Sequence, residues 1–139
     1  MKLSSKRKYG TRLMLDLALH YGKKQVLLKE ISARQGISEK YLWQLIAPLK
    51  NAGFINSKRG SQGGYELAKS PKEITLREIV FILEGPLFDN WKSGNGHDRI
   101  LKDLWEEVSK KVYTVFESFT LEDIVERYRR KSKVIEYAI

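Results

Sequence analysis

Apolar residues recur at spacings of three and four from Tyr9 through Leu13, Met14, Leu17 and Ala18 to Tyr21, which predicts a helix with one apolar side. Ser4 and Ser5 precede it as candidate N-caps, and Gly22 follows as a candidate C′ residue. Shorter units come next. Leu28 to Gln35 predicts a second helix whose main inward residue is Ile31 and whose end is set by Gly36. Ser38 is placed to cap a third helix, with Glu39 favourable in its first turn. Leu42, Leu45, Ile46 and Leu49 form the buried stripe of that helix, leaving Lys40, Tyr41, Trp43, Gln44 and Ala47 outside. Pro48 removes a backbone donor, so a bend or interruption is expected there.

Beyond the third helix the period changes. Phe54-Ile55 opens a strand, Arg59 to Gly64 is too glycine-rich for a regular element, and Tyr65 and Leu67 alternate on a return strand. Thr75-Leu-Arg-Glu78 is a capping-box pattern opening a fourth helix through Leu83, stopped by Glu84-Gly-Pro-Leu87. Residues 87–96 read as an irregular loop. A long helix follows from Asp98 to Ser118, with the stripe Leu101, Leu104, Trp105, Val108, Val112, Val115 and Phe116. A small domain does not cover so long a stripe by itself, which predicts a partner helix from another subunit. Thr120 is placed to cap a last helix from Leu121 to about Arg130, with Arg127-Tyr-Arg-Arg-Lys131 in its last turn.

Two short helices meeting at the Gly36-Ile37-Ser38 turn, followed by a basic hairpin, have the order of parts of a winged helix-turn-helix. The fold class is therefore mainly α with a small two-stranded β wing, plus a long dimerisation helix. The expected organisation is a DNA-binding domain over 1–86, an irregular loop over 87–97, and the dimerisation and C-terminal helices over 98–139.

Charge sharpens this picture. The formal net charge is +9, and it is unevenly placed: residues 1–70 hold 14 Lys/Arg against 4 Asp/Glu, whereas residues 71–139 hold 12 against 13. The basic half carries the helix-turn-helix, so a polyanion is its natural partner. Hydrophobic residues make up 42% of the chain, too many for a disordered polypeptide. There is no cysteine, which excludes disulfides and thiolate metal sites. The composition fits a reducing, cytoplasmic setting. No apolar stretch nears the roughly 20 residues of a membrane span, and no secretory signal is expected behind Lys2, Lys6, Arg7 and Lys8.

The expected DNA-contacting residues are Ser38, Lys40, Tyr41 and Gln44 at the start of the third helix, and Ser57, Lys58, Arg59, Gly60, Ser61 and Gln62 in the wing. Ser38 can cap, contact DNA, or do both. Gln44 can pair bidentately with adenine. Trp43 can either meet thymine methyls or sugar, or pack against the wing. Arg59 suits the narrow minor groove, and Gly60, Gly63 and Gly64 allow close approach to phosphate. Lys2, Lys6 and Lys29 are further phosphate candidates. Leu101, Leu104, Trp105, Val108 and Val112 are the expected dimer contacts. His20 reads as structural; His97 with Asp98 and Asp89 is either a metal or effector pocket or a solvated helix start. No serine–histidine–acid order and no phosphate-binding loop occurs, and Glu106-Glu107 and Glu122-Asp123 splay around their helices, so no enzyme is expected.

Met1-Lys-Leu-Ser, Leu15-Asp-Leu-Ala18, Gln35-Gly-Ile-Ser-Glu-Lys-Tyr-Leu42, Leu45-Ile-Ala-Pro-Leu-Lys-Asn-Ala-Gly53, Arg59-Gly-Ser-Gln-Gly-Gly-Tyr65 and Leu83-Glu-Gly-Pro86 together resemble the bacterial Rrf-type transcription regulators. This family includes IscR, NsrR and CymR. The likeness covers nearly the whole chain, and Ala-Pro-Leu is the family's habit around Pro48. It implies a homodimeric regulator with a winged helix-turn-helix. Many members bind an iron–sulfur cluster through three cysteines in the loop after Leu-Glu-Gly-Pro; here that loop has none, so no cofactor is expected. The reading is a homodimeric repressor on a palindromic operator of double-stranded DNA, answering to an effector that is a small molecule or a protein. The alternative is a protein-interaction module whose helix-turn-helix no longer reads DNA.

Overall fold

The computed structural model describes residues 4–60, 63–88 and 94–138, with the backbone alone beyond 133. Its elements in chain order are α1 (Ser5–Leu19), α2 (Leu28–Gln35), α3 (Glu39–Asn51), β1 (Ile55–Lys58), β2 (Gly64–Leu67), a 3₁₀ turn (Pro71–Glu73), α4 (Leu76–Glu84), α5 (Gly96–Ser118) and α6 (Leu121–Ala138). The fold is thus mostly helical with one antiparallel two-stranded sheet, as the pattern predicts.

Local chemistry sets most boundaries. Ser4 caps α1 by accepting from Arg7 N–H at 3.2 Å, and Ser38 caps α3 by accepting from Tyr41 N–H at 3.2 Å. Gly36 ends α2 at φ 65°, ψ 34°, a left-handed conformation that glycine adopts without a Cβ penalty. Thr75 Oγ1 accepts from Glu78 N–H at 3.2 Å and donates to Glu78 Oε1 at 3.1 Å, so the capping box of α4 closes through the hydroxyl rather than the Thr75 N–H.

Several boundaries differ from the sequence reading, among them the start of α5, which the Asn95 cap sets at Gly96 rather than Asp98. α1 ends before Tyr21, which is exposed, because His20 already caps the helix. α3 runs across Pro48 to Asn51; the lost donor removes one bond, but Leu45, Ile46 and Leu49, all buried, hold both sides of it in the core. α6 continues to Ala138, so Arg127–Lys131 lies mid-helix, not at a C-terminus where the helix dipole would favour it. No Gly or Pro follows Arg130 to stop it, and Arg and Lys are good helix formers.

The core is built where α1, α3, α4 and α6 meet. Leu13, Met14 and Leu17 of α1, Leu42, Leu45 and Leu49 of α3, Ile79 of α4, and Leu121 and Val125 of α6 are each almost completely buried and belong to one cluster. α4 and α6 start side by side: Leu76 N–H donates to Phe119 O at 2.9 Å, and Leu121 N–H to Ile74 O at 2.8 Å. A reciprocal cap closes α6, with Thr120 N–H on Asp123 Oδ2 at 2.9 Å and Asp123 N–H on Thr120 Oγ1 at 3.1 Å. Among the described residues no helix is long and apolar enough to cross a membrane.

Candidate nucleic-acid interface

α3 is held by its apolar stripe. Leu42, Leu45, Ile46 and Leu49 are at most 2% exposed. With about 100° between successive residues, the side opposite that stripe carries Lys40, Gln44 and Ala47, with Trp43 along one edge. Lys40, Trp43 and Gln44 are exposed, as is Ser38 at the cap. Trp43 keeps 59% of its surface open, so it is not packed under the wing. Tyr41 stands on the other edge and is half-buried: its ring meets Tyr9 of α1 edge-on, with centroids 5.8 Å apart and planes at 85°.

Tyr9 is itself flanked by cations, with Lys8 Nζ 5.4 Å and the Arg12 guanidinium 5.7 Å from its centroid. The start of α3 is thus continuous with a basic, aromatic stretch of α1. The helical spacing places Tyr9 on the apolar side of α1, but no sequence pattern announces its pairing with Tyr41.

α2 is locked onto α1 by a buried carboxylate that sequence reasoning missed. Asp16 is 2% exposed. It accepts from Arg34 Nε at 3.0 Å, Arg34 Nη2 at 2.9 Å and Gln35 Nε2 at 2.8 Å. Arg12 Nη2 donates in turn to the Gln35 carbonyl at 3.0 Å. A buried charge requires such partners, and these tie the end of α2 to α1. The hydrogen bond to Asp16 holds the Arg34 guanidinium above its ordinary pKa. His20 Nδ1 donates to the Asp16 carbonyl oxygen at 2.7 Å, the structural role expected of it. Asp16 within an apolar helical run was the available signal, since a carboxylate on the inward side needs a cationic partner.

The wing pairs Ile55 with Leu67 and Lys58 with Gly64. Val26 adds a third short partner: its N–H donates to Tyr65 O at 2.9 Å, and Tyr65 N–H returns to Val26 O at 2.8 Å. The turn demands its glycines. A Cβ on Gly63 would lie 2.3 Å from Lys58 O, and one on Gly64 2.6 Å from Val26 O. Ser57, Lys58, Arg59 and Gly60 are exposed at the tip, whereas Ser61 and Gln62 lie outside the described residues, as does Lys2. Lys6 and Lys29 are exposed.

The long helix contrasts with this packed unit. α5 has no buried residue over its 23 positions. Leu101 is 40%, Leu104 50% and Trp105 47% exposed, and Val108 and Val112 are half-buried. α5 is tied to α4 by Arg77, whose Nη1 meets Glu117 Oε2 at 2.9 Å and whose guanidinium lies 4.7 Å from the Tyr113 centroid. Tyr113 OH also accepts from Leu87 N–H at 2.9 Å. His97 is exposed in the first turn of α5, behind the Asn95 cap, while Asp89 lies outside the described residues.

A winged helix-turn-helix with an exposed basic wing defines a DNA-binding regulator, and the comparisons with known proteins agree. Residues 3–127 match the family described as Rrf2, iron-dependent transcriptional regulator. The chain is 39% identical to the HTH-type transcriptional regulator CymR of Bacillus subtilis over 124 residues, 89% of each chain. The solved structure of CymR (YrzC), the global cysteine regulator of B. subtilis, superposes with a TM-score of 0.80 at 37% identity, covering 91% of this chain and 98% of that one. The T. potens IscR structure gives 0.76 at 43% identity, covering 92% and 88%. The chain belongs to the Rrf2 family of transcriptional regulators. It is a DNA-binding regulator and not an enzyme.

The family description implies iron, and the donor set here does not fit a thiolate-held cluster. The chain has no cysteine, and the described residues hold no group of three or more His, Cys, Asp or Glu able to take a metal.

Proposed function

We propose that the protein is a homodimeric, sequence-specific regulator that represses transcription by occupying a palindromic operator, without a cysteine-ligated iron–sulfur cluster. The observation that carries this reading is the solvent-facing side of α3. It presents Ser38, Lys40 and Gln44 beside a wing whose Ser57, Lys58, Arg59 and Gly60 are exposed, in the half of the chain with the charge excess. α3 enters the major groove, where Gln44 reads a base edge, Lys40 meets phosphate or guanine, and Tyr41 supports the helix from the side. Arg59 reaches the adjacent minor groove, and Ser61 and Gln62 are assigned to DNA contact on their sequence position alone.

Dimerisation through Leu101, Leu104, Trp105, Val108 and Val112 is supported by their exposure on a helix without a buried residue. A two-fold dimer reads a two-fold operator. An effector, small molecule or protein, acts where Leu87 meets Tyr113, because movement there shifts α5 and with it the spacing of the two reading heads. The work is done in the cytoplasm, where the chromosome lies.

The test is selection of duplexes from a random-sequence pool by the purified full chain. An inverted repeat with half-sites one helical turn apart, or a multiple, is the expected product. No enriched sequence would refute the reading.

A further inference from the structure

Trp43 is a large apolar residue left exposed on α3. It lies at the edge of the side of α3 that carries the reading positions Lys40 and Gln44, and 59% of its surface is open. Its neighbours on the helix surface, three and four residues away, are Glu39, Lys40, Ala47 and the buried Ile46. It is therefore an apolar ring on the polar side of a helix that would lie in a groove about 12 Å wide. The base edges there present donors and acceptors, which Lys40 and Gln44 can satisfy. The one apolar feature a base pair offers in that groove is the C5-methyl group of thymine.

We infer that Trp43 is a specificity-determining residue that selects thymine at one position of each half-site by covering its methyl group with the indole face. The inference rests on the proposed DNA reading and adds a base preference to it. Two properties of the residue support it. The indole is rigid, with two side-chain torsions, so little freedom is lost on contact. Its exposure means that truncation leaves the core untouched, so an effect of mutation belongs to binding.

The experiment uses the duplex selected from the random pool and replaces each thymine in one half-site, singly, by deoxyuridine. The change removes a methyl group and leaves every hydrogen-bonding group in place. For the full-length protein, one position should lose about fourfold in affinity, the equivalent of returning one methylene's worth of apolar surface to water. Trp43→Ala should bind the thymine and deoxyuridine duplexes equally at that position, with unchanged thermal unfolding. Equal affinity of the unaltered protein for every deoxyuridine duplex would overturn the inference, as would discrimination that persists in Trp43→Ala; a ring resting on sugar or phosphate gives the first of these results. Failure to enrich any duplex would bring down the DNA reading together with this inference, whereas enrichment without a methyl effect removes the inference alone.

Discussion

α3 and α5 are both amphipathic, and they spend their apolar sides differently. In α3 the stripe Leu42, Leu45, Ile46 and Leu49 is at most 2% exposed, and what faces water is Lys40, Gln44 and the open Trp43. In α5 no residue is buried, and what faces water includes Ile100 at 69%, Leu104 at 50% and Val115 at 56%. A helix whose core side is satisfied within the chain is free to offer polar groups to a polar, charged partner. A helix whose apolar side is left open gains by burying it against something equally apolar, at roughly 25 cal/mol per Å² removed from water. The two exposed surfaces therefore suit the two partners of the proposed function: a polyanion at α3 and the wing, and a second apolar helix at α5.

The largest expected effect comes from breaking the α5 side of this contrast. Replacing Leu104 and Val108 with Glu would place unpaired charge in the proposed interface, at a cost of several kcal/mol. Sedimentation should show monomer, and affinity for a palindromic duplex should collapse because the two reading heads are no longer joined. The core is untouched, since neither residue is buried in the single chain. A double variant that stays a DNA-competent dimer would place the interface elsewhere.

A smaller effect separates the two parts of the reading surface. Arg59→Ala should weaken operator binding by roughly 1–3 kcal/mol with the unfolding midpoint unchanged, because the residue is exposed at the wing tip. Gln44→Ala should instead relax base preference at one position per half-site. Titration against single-base operator variants distinguishes them; if both variants keep full affinity and the same preferences, the docking geometry is wrong.

The smallest effect tests the joint between the two regions. The Thr120 backbone N–H, donating to the Asp123 carboxylate, holds its pKa below the ordinary value. A depressed folded pKa means that the ionised cap contributes stability above the unfolded carboxylate pKa, near 3.9. That contribution fades as pH falls through the folded value. The melting temperature of Asp123→Asn should accordingly fall less than that of the unaltered protein between neutral pH and acid. Parallel pH profiles would show that the cap carries no acid sensitivity.

Much of this arrangement was legible in the sequence because it depends on local patterns. Ser38, Gly36 and the 42/45/46/49 stripe define α2 and α3 through capping chemistry and helical period, and the glycine run around Arg59 forces the hairpin. The stripe on α5 was legible for the same reason, and its lack of cover was anticipated from its length. The features that escaped depend on pairings distant in sequence. Asp16 with Arg34 and Gln35, Tyr9 with Tyr41, and Tyr113 with Leu87 join residues whose spacing carries no signal. The interruption expected at Pro48 does not occur because local propensity yields to a helix anchored in the core on both sides. The end of α6 was missed because a basic run resembles a helix terminus when the residues after it are judged only by charge.

The central claim is that the basic half of the chain binds operator DNA by neutralising phosphates while α3 selects the sequence. The most direct measurement is the affinity of the full chain for its selected duplex and for a scrambled duplex of the same composition, across a series of salt concentrations. Log affinity should fall linearly with log salt, with a slope of about −0.9 for each phosphate contacted, and the selected duplex should bind at least ~10³-fold more tightly at physiological salt. A slope near zero, or equal affinity for the two duplexes, would contradict the account.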